Sequence, residues 1–174
     1  MDKVAIFCSS SQSLDGRYTA AAETLVKGLC RKGYGIVSGG SFVGLMGVVS
    51  RTVTAEGGFH RGALPEFMDE WAYEGLDETV RTRTMAERKD QMRRGTIAAI
   101  ALPGGTGTLD ELIETQVLIH LGQYGGRLLL LNDQGFYEPF KALLDHYVRE
   151  NMLTEEGRAI FEFFDTPQAL LETL

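Results

Sequence analysis

Ile97-Ala98-Ala99-Ile100-Ala101-Leu102-Pro103-Gly104-Gly105-Thr106-Gly107-Thr108-Leu109-Asp110-Glu111 runs from an apolar stretch through a glycine-rich turn into an amphipathic stretch, Leu109 to Leu121. That order reads as strand, turn, helix. Ile97 to Leu102 is continuously apolar, so both of its faces should be covered, which is the mark of a strand inside a parallel sheet. A turn of this kind aims backbone N–H groups and the positive end of a helix dipole at one spot, where phosphate binds well. Glycine suits it because a Cβ would block the anion and forbid some backbone angles. Glu111 then stands about one turn inside the helix. A phosphate cradle beside a fixed carboxylate suggests chemistry on a nucleotide or sugar phosphate. Thr108-x-x-Glu111 also has the capping-box pattern, and acids suit a first helical turn. Taken alone, Pro103 to Glu111 leaves an anion site and an ordinary α/β turn both open. It is neither a Walker loop nor a G-x-G-x-x-G fingerprint.

Working outward, strands and helices alternate. Strands are expected at Val4 to Cys8, Gly35 to Ser38, Phe59 to Leu64, Glu78 to Arg83, Arg127 to Asn132 and Ile160 to Phe164. Helices are expected at Tyr18 to Arg31, Leu45 to Ala55, Met85 to Arg94, Tyr137 to Glu150 and Pro167 to Leu174. Pro65 to Asp77 reads as irregular. The pattern predicts an α/β fold, a doubly wound, mainly parallel sheet with helices on both faces. Ligands in such folds sit beyond the strand carboxyl ends, where the strand order reverses. Three turns fall at strand carboxyl ends: Ser9 to Ser13, with Ser10; Gly39 to Gly44, with Gly39 and Gly40; and Gly104 to Thr108. They are expected to converge on one crevice.

The 174 residues fit one domain, 1–174, and 44% hydrophobic residues suffice for a full core. A net charge of −7 argues against a nucleic-acid partner, whose footprint is a basic face. Two cysteines, Cys8 and Cys30, and three scattered histidines offer no metal spacing, so no metal and no cofactor is expected. Met1-Asp2-Lys3 leads straight into a strand, and no apolar run reaches the length of a membrane span. A soluble cytoplasmic protein is the expectation. Arg81 to Arg94 is a basic cluster on an acidic background, suited to a small anion or to a solvated helix face. Met85, Arg88 and Met92 share one helical face, where the methionines serve a core or flank a purine. Lys89 points elsewhere and is the weaker binding candidate.

Three segments together resemble the LOG ("lonely guy") family. They are Phe7-Cys8-Ser9-Ser10-Ser11, Gly39 to Gly47, and Arg88-Lys89 followed by Pro103 to Glu111, the last fitting the hallmark PGGxGTxxE with its upstream Arg-Lys. Members are cytokinin riboside 5′-monophosphate phosphoribohydrolases, many once labelled lysine decarboxylases. The resemblance implies a Rossmann-like fold, a homodimer or larger assembly, and hydrolysis of the base–ribose bond of a purine nucleoside 5′-monophosphate. It implies catalytic roles for Arg88 and Glu111 and phosphate binding by Gly104, Gly105, Thr106, Gly107 and Thr108. Four positions depart from the usual pattern: Ser9, Ser38-Gly39-Gly40-Ser41 in place of Tyr-Gly-Gly-Gly, Ala86 in place of histidine, and Gly95-Thr96 in place of Ser-Asp. All four bear on ribose and base contacts, and none removes the catalytic pair. With Arg88 and the helix dipole opposing burial, Glu111 is expected to stay ionised. A non-catalytic binding module for a nucleotide or a phosphorylated cofactor, as in molybdenum-cofactor carriers, is the alternative.

Overall fold

The computed structural model describes residues 1–174. Seven strands form one sheet: β1 Lys3–Phe7, β2 Gly35–Ser38, β3 His60–Pro65, β4 Glu78–Thr82, β5 Ala98–Ala101, β6 Arg127–Leu131 and β7 Phe161–Phe164. Their order is β4-β3-β2-β1-β5-β6-β7, and every pairing is parallel. The chain winds outward from β1 to β4, returns to β5 beside β1, and winds outward again. The reversal therefore lies between β1 and β5, and the doubly wound Rossmann-like arrangement expected from the alternating pattern is present.

The helices are α1 Gly16–Arg31, α2 Gly44–Ala55, α3 Met85–Arg93, α4 Thr106–His120, α5 Glu138–Arg149, α6 Glu155–Ala159 and α7 Pro167–Glu172. Strand side chains alternate between two cores. Val4, Ile6, Ile100, Leu129 and Leu131 pack with α1, α2 and Leu170 of α7. Ala5, Phe7, Ala99, Ala101, Leu128 and Leu130 pack with Met92 of α3, Leu112 of α4 and Leu144 of α5. The central strands are apolar throughout because both faces are covered, as the run Ile97 to Leu102 implied. No helix is long and apolar enough to cross a membrane.

Two local expectations are corrected. Helix α4 begins at Thr106 rather than Leu109, so Thr106-Gly107-Thr108 is its first turn and Gly105 its N-cap, with no side-chain cap. Thr108 and Glu111 are then the third and sixth helical residues, and the capping box does not form. Poor helix formers in the first turn concealed the boundary from the sequence pattern. Pro65 to Asp77 is also less irregular than expected: Pro65 ends β3, and Glu66–Trp71 forms a 3₁₀ helix. Short α6, capped by Thr154, was not foreseen at all.

Candidate active site

Beyond the carboxyl ends of β1 and β5 lies a cavity of about 380 Å³, large enough for a small ligand. The serine turn supplies Ser9, Ser10 and Ser11, the turn after β2 supplies Gly39, and the start of α4 supplies Gly105, Thr106, Gly107 and Thr108. Arg88 and Glu111 also line the cavity, with Ile6, Cys8 and four methionines, Met46, Met68, Met85 and Met92. The three turns thus meet at the reversal in strand order.

The start of α4 points uncapped backbone N–H groups toward the cavity. Its first N–H groups have no intrahelical acceptor, and no side chain caps them. A Cβ on Gly105 or Gly107 would meet no protein atom, because both glycines face open space. Gly104 is different: a Cβ there would lie 2.1 Å from Thr108 Oγ1, so only glycine lets the strand turn so tightly into the helix.

Arg88 and Glu111 form a buried ion pair. Arg88 Nη1 donates to Glu111 Oε1 at 3.4 Å, and the two side chains are 7% and 8% exposed. Arg88 Nε donates to the Ala63 carbonyl of β3 at 3.1 Å, which fixes the guanidinium over the sheet. Gly39 makes room for it: a Cβ at Gly39 would stand 2.0 Å from Arg88 Nη2 and 2.8 Å from Met46 Sδ. The expectation that Glu111 stays freely ionised is corrected. Burial pushes its carboxyl from the ordinary 4.5 up to about 7, against the lowering charge of Arg88. Glu111 lies beyond the first turn of α4, where the dipole has faded. A carboxyl titrating near neutrality can both hold and take a proton at working pH. Burial, followed by the charge of Glu111, raises the Cys8 thiol far above its usual range and leaves it protonated.

Other expected residues fall elsewhere. Gly104 and Gly40 do not line the cavity; Gly40 adopts a positive φ of 69° and donates its N–H to Ser38 Oγ at 3.1 Å. Lys89 turns to α4, bonding Asp110 at 2.9 Å and Glu114 at 3.4 Å. Sequence reasoning passed over Cys8, Met46 and Met68. Met46 follows the second glycine turn, a signal that was available. Met68 comes from the 3₁₀ segment, where the pattern offered none. No group of His, Cys, Asp and Glu is placed to hold a metal ion.

A parallel α/β fold with a helix N-terminus, a buried Arg–Glu pair and an apolar wall around one cavity defines a candidate ligand site of the doubly wound α/β class. The family described as "Possible lysine decarboxylase" matches residues 46–174. A probable cytokinin riboside 5′-monophosphate phosphoribohydrolase of Oryza sativa subsp. japonica, LOGL6, is 37% identical over 99% of this chain and 70% of its own. The rice enzyme LOG, a cytokinin riboside 5′-monophosphate phosphoribohydrolase, is 36% identical over 97% and 71%. LOG5 of Arabidopsis thaliana, of the same description, is 35% identical over 99% and 76%. The chain belongs to this family, the LOG family. Its fold is shared with the molybdenum cofactor binding protein of Rippkaea orientalis, at TM-score 0.76, 18% identity and 99% and 94% coverage. The molybdenum cofactor carrier protein of Chlamydomonas reinhardtii gives TM-score 0.73, 16% identity and 99% and 96% coverage.

Proposed function

We propose that this protein hydrolyses the N-glycosidic bond of a purine nucleoside 5′-monophosphate, a cytokinin riboside monophosphate or AMP, to free base and ribose 5-phosphate. The observation that carries the reading is the Arg88–Glu111 pair in one cavity with the uncapped start of α4. Relatives over nearly the whole chain are described as phosphoribohydrolases, which supports it. The 5′-phosphate sits on the N–H groups of Thr106, Gly107 and Thr108. Five residues, or about 7.5 Å of helical rise, separate Thr106 from Glu111, and because a helical side chain leans back toward the N-terminus a ribose 5-phosphate can bridge that span. Glu111 is then beside the carbon that reacts.

As the C1′–N bond breaks, its electron pair leaves with the base and positive charge grows on the sugar, as in glycoside hydrolysis. The Glu111 carboxylate stabilises that charge and accepts a proton from the water that adds to C1′. The departing base takes up a proton from solvent and Glu111 releases its own, so no net proton is gained or lost. Arg88 orients Glu111 and favours its charged form. Met46, Met68, Met85 and Met92 give the base a soft, adaptable wall. Ser10 and Gly39 flank the ribose.

The lysine decarboxylase description does not fit the residues present. Pyridoxal-phosphate chemistry needs a Schiff-base lysine at the cofactor. No lysine lines the cavity, and Lys89, on the helix of Arg88, is held by Asp110 and Glu114.

The protein acts as a homodimer of single-domain chains in this reading. Leu109, Ile113 and Val117 are exposed along α4, at i, i+4 and i+8, and Leu121 just past its end continues the stripe. A continuous apolar stripe of this kind marks an interface. Two free cysteines fit a reducing compartment such as the cytoplasm.

The test is incubation with AMP, N6-substituted AMP and adenosine, following free base and ribose 5-phosphate. Monophosphates should be cleaved and adenosine far less well. Equal turnover of nucleoside and nucleotide contradicts the cradle, and no turnover of any nucleotide contradicts the reaction.

A further inference from the structure

Helix α3 rests mainly on β3 and β4 and α4 mainly on β5 and β6, and the two come together over β1. The Arg88–Glu111 pair spans the gap between them, through a single bond of 3.4 Å. Arg88 is anchored by the Ala63 carbonyl as well, but this one long bond is all that holds the Glu111 carboxylate. Beside it lies a second set of ion pairs. Lys89 Nζ meets Asp110 at 2.9 Å and Glu114 at 3.4 Å, and Arg93 Nη1 meets Glu114 at 2.7 Å. Lys89 and Arg93 are one helical turn apart, as are Asp110 and Glu114, so the contacts repeat along the seam between the helices. Neither cation is an ordinary surface residue: their side chains are 12% and 7% exposed. None of the four residues lines the cavity.

We propose that Lys89, Arg93, Asp110 and Glu114 brace α3 against α4 and are positioning residues for the Arg88–Glu111 pair. The proposal rests on the reading of that pair as the hydrolytic site. The brace fixes the separation of the two helices, so the guanidinium and carboxylate meet without their own bond having to hold them. It also sets the field at Glu111. From α3, Arg88, Lys89 and Arg93 favour the charged carboxylate; from α4 itself, Asp110 disfavours it. Cys8 at the end of β1 and Tyr137 ahead of α5 also feel Glu111, and both stay protonated because burial raises them far above their usual range. Lys89 is charged throughout, since its bonds to Asp110 and the charge of Glu114 outweigh its burial.

Opposite substitutions in the brace should therefore move Glu111 in opposite directions. The experiment follows the Glu111 side-chain carboxyl by carbon-detected NMR titration of the unliganded protein. Its resonance is assigned by its loss in Glu111→Gln. Lys89→Met should shift the titration to higher pH, and Asp110→Asn to lower pH. A purely structural role would not separate the two in sign. The acid limb of kcat/KM on a nucleoside monophosphate should follow the same shifts. Arg93→Met should lower kcat by about tenfold, the scale of a small misplacement of reacting groups, with KM changed much less. Arg93→Lys, which keeps the charge, should recover most of the loss. Asp110 is largely exposed, so its substitution is safe for folding even if Lys89→Met is not. An unmoved Glu111 titration in Asp110→Asn, with an unchanged kcat in Arg93→Met, overturns the brace. Shifted titrations in a protein that cleaves no nucleotide leave the brace standing and overturn the hydrolytic reading instead.

Discussion

Arg88 and Glu111 meet across the reversal in strand order, with 3.4 Å between Nη1 and Oε1 and both side chains buried. One comes from the helix that returns the chain to the sheet centre, the other from the helix that follows β5. Their 23-residue separation in sequence becomes contact only because β1 and β5 are neighbours. The site is a product of topology as much as of motif.

Gly39→Ala tests how tightly that contact is packed. The new methyl would stand 2.0 Å from Arg88 Nη2, and the end of the arginine is what can move. Turnover should fall by about 10-fold to 100-fold, and the melting temperature should fall as well, because a buried ion pair is disturbed. A variant with normal kcat would mean that Arg88 need not sit where it does.

Activity should depend on pH through Glu111. With its carboxyl raised to about 7, kcat/KM should fall as pH drops below about 7, because the protonated form neither stabilises a cation nor takes a proton. Stability carries the opposite sign. The unfolded carboxyl ionises near the ordinary 4.5, so the folded state holds a proton that the unfolded state has lost. The contribution of this group is present below 4.5 and is lost as pH rises through about 7. Denaturant midpoints of Glu111→Gln should lack that decline.

His60 gives the contrary trend. It is buried with Nε2 2.7 Å from Ser38 Oγ and Nδ1 without a partner. Burial, against the raising charge of Asp77, holds the imidazole at about 4 rather than 6.5. The unfolded state therefore binds the extra proton first, and stability is lost as pH falls from 6.5 through about 4. Urea midpoints of His60→Asn between pH 7 and 4.5 should show a shallower acid loss than the wild type. An identical slope would remove His60 from the account.

Much of the fold was legible because burial on both faces left its mark in composition. Ile97 to Leu102 and Arg127 to Asn132 read as covered parallel strands, and the structure makes them β5 and β6. The start of α4 was not legible, since Thr106-Gly107-Thr108 looks like a loop by propensity and is held helical by Leu109 N–H bonding the Gly105 carbonyl. That error produced the capping box and overstated the dipole at Glu111, and with Arg88 it led to an ionised carboxylate because the depth of burial could not be read from the pattern. The cavity wall was only partly legible. Met85 and Met92 show helical spacing, but Met68 arrives from a segment with no periodicity. Lys89 reads as the weaker binding candidate, pointing elsewhere on the helix than Arg88, and the structure shows where it points. One residue along a helix is a rotation of about 100°, and that rotation turns it onto Asp110 and Glu114.

Assembly should run through α4. Ile113→Asp, in the middle of the exposed stripe, puts a charge where an apolar contact is expected. Light scattering at micromolar concentration should give twice the chain mass for the wild type and a lower mass for the variant. A wild-type mass of one chain would contradict the dimer.

The central claim is that Glu111 works on the sugar carbon rather than merely on Arg88. Glu111→Gln keeps the size and an oxygen that can accept from Arg88 Nη1, so the fold should persist without any capping role. The decisive measurement is kcat of this variant on a nucleoside 5′-monophosphate, beside nucleotide affinity and melting temperature. A fall of about 10²-fold or more, the scale of one lost electrostatic stabiliser, with affinity and stability retained, is the predicted result. A near-normal kcat would contradict the account and leave a nucleotide-binding protein.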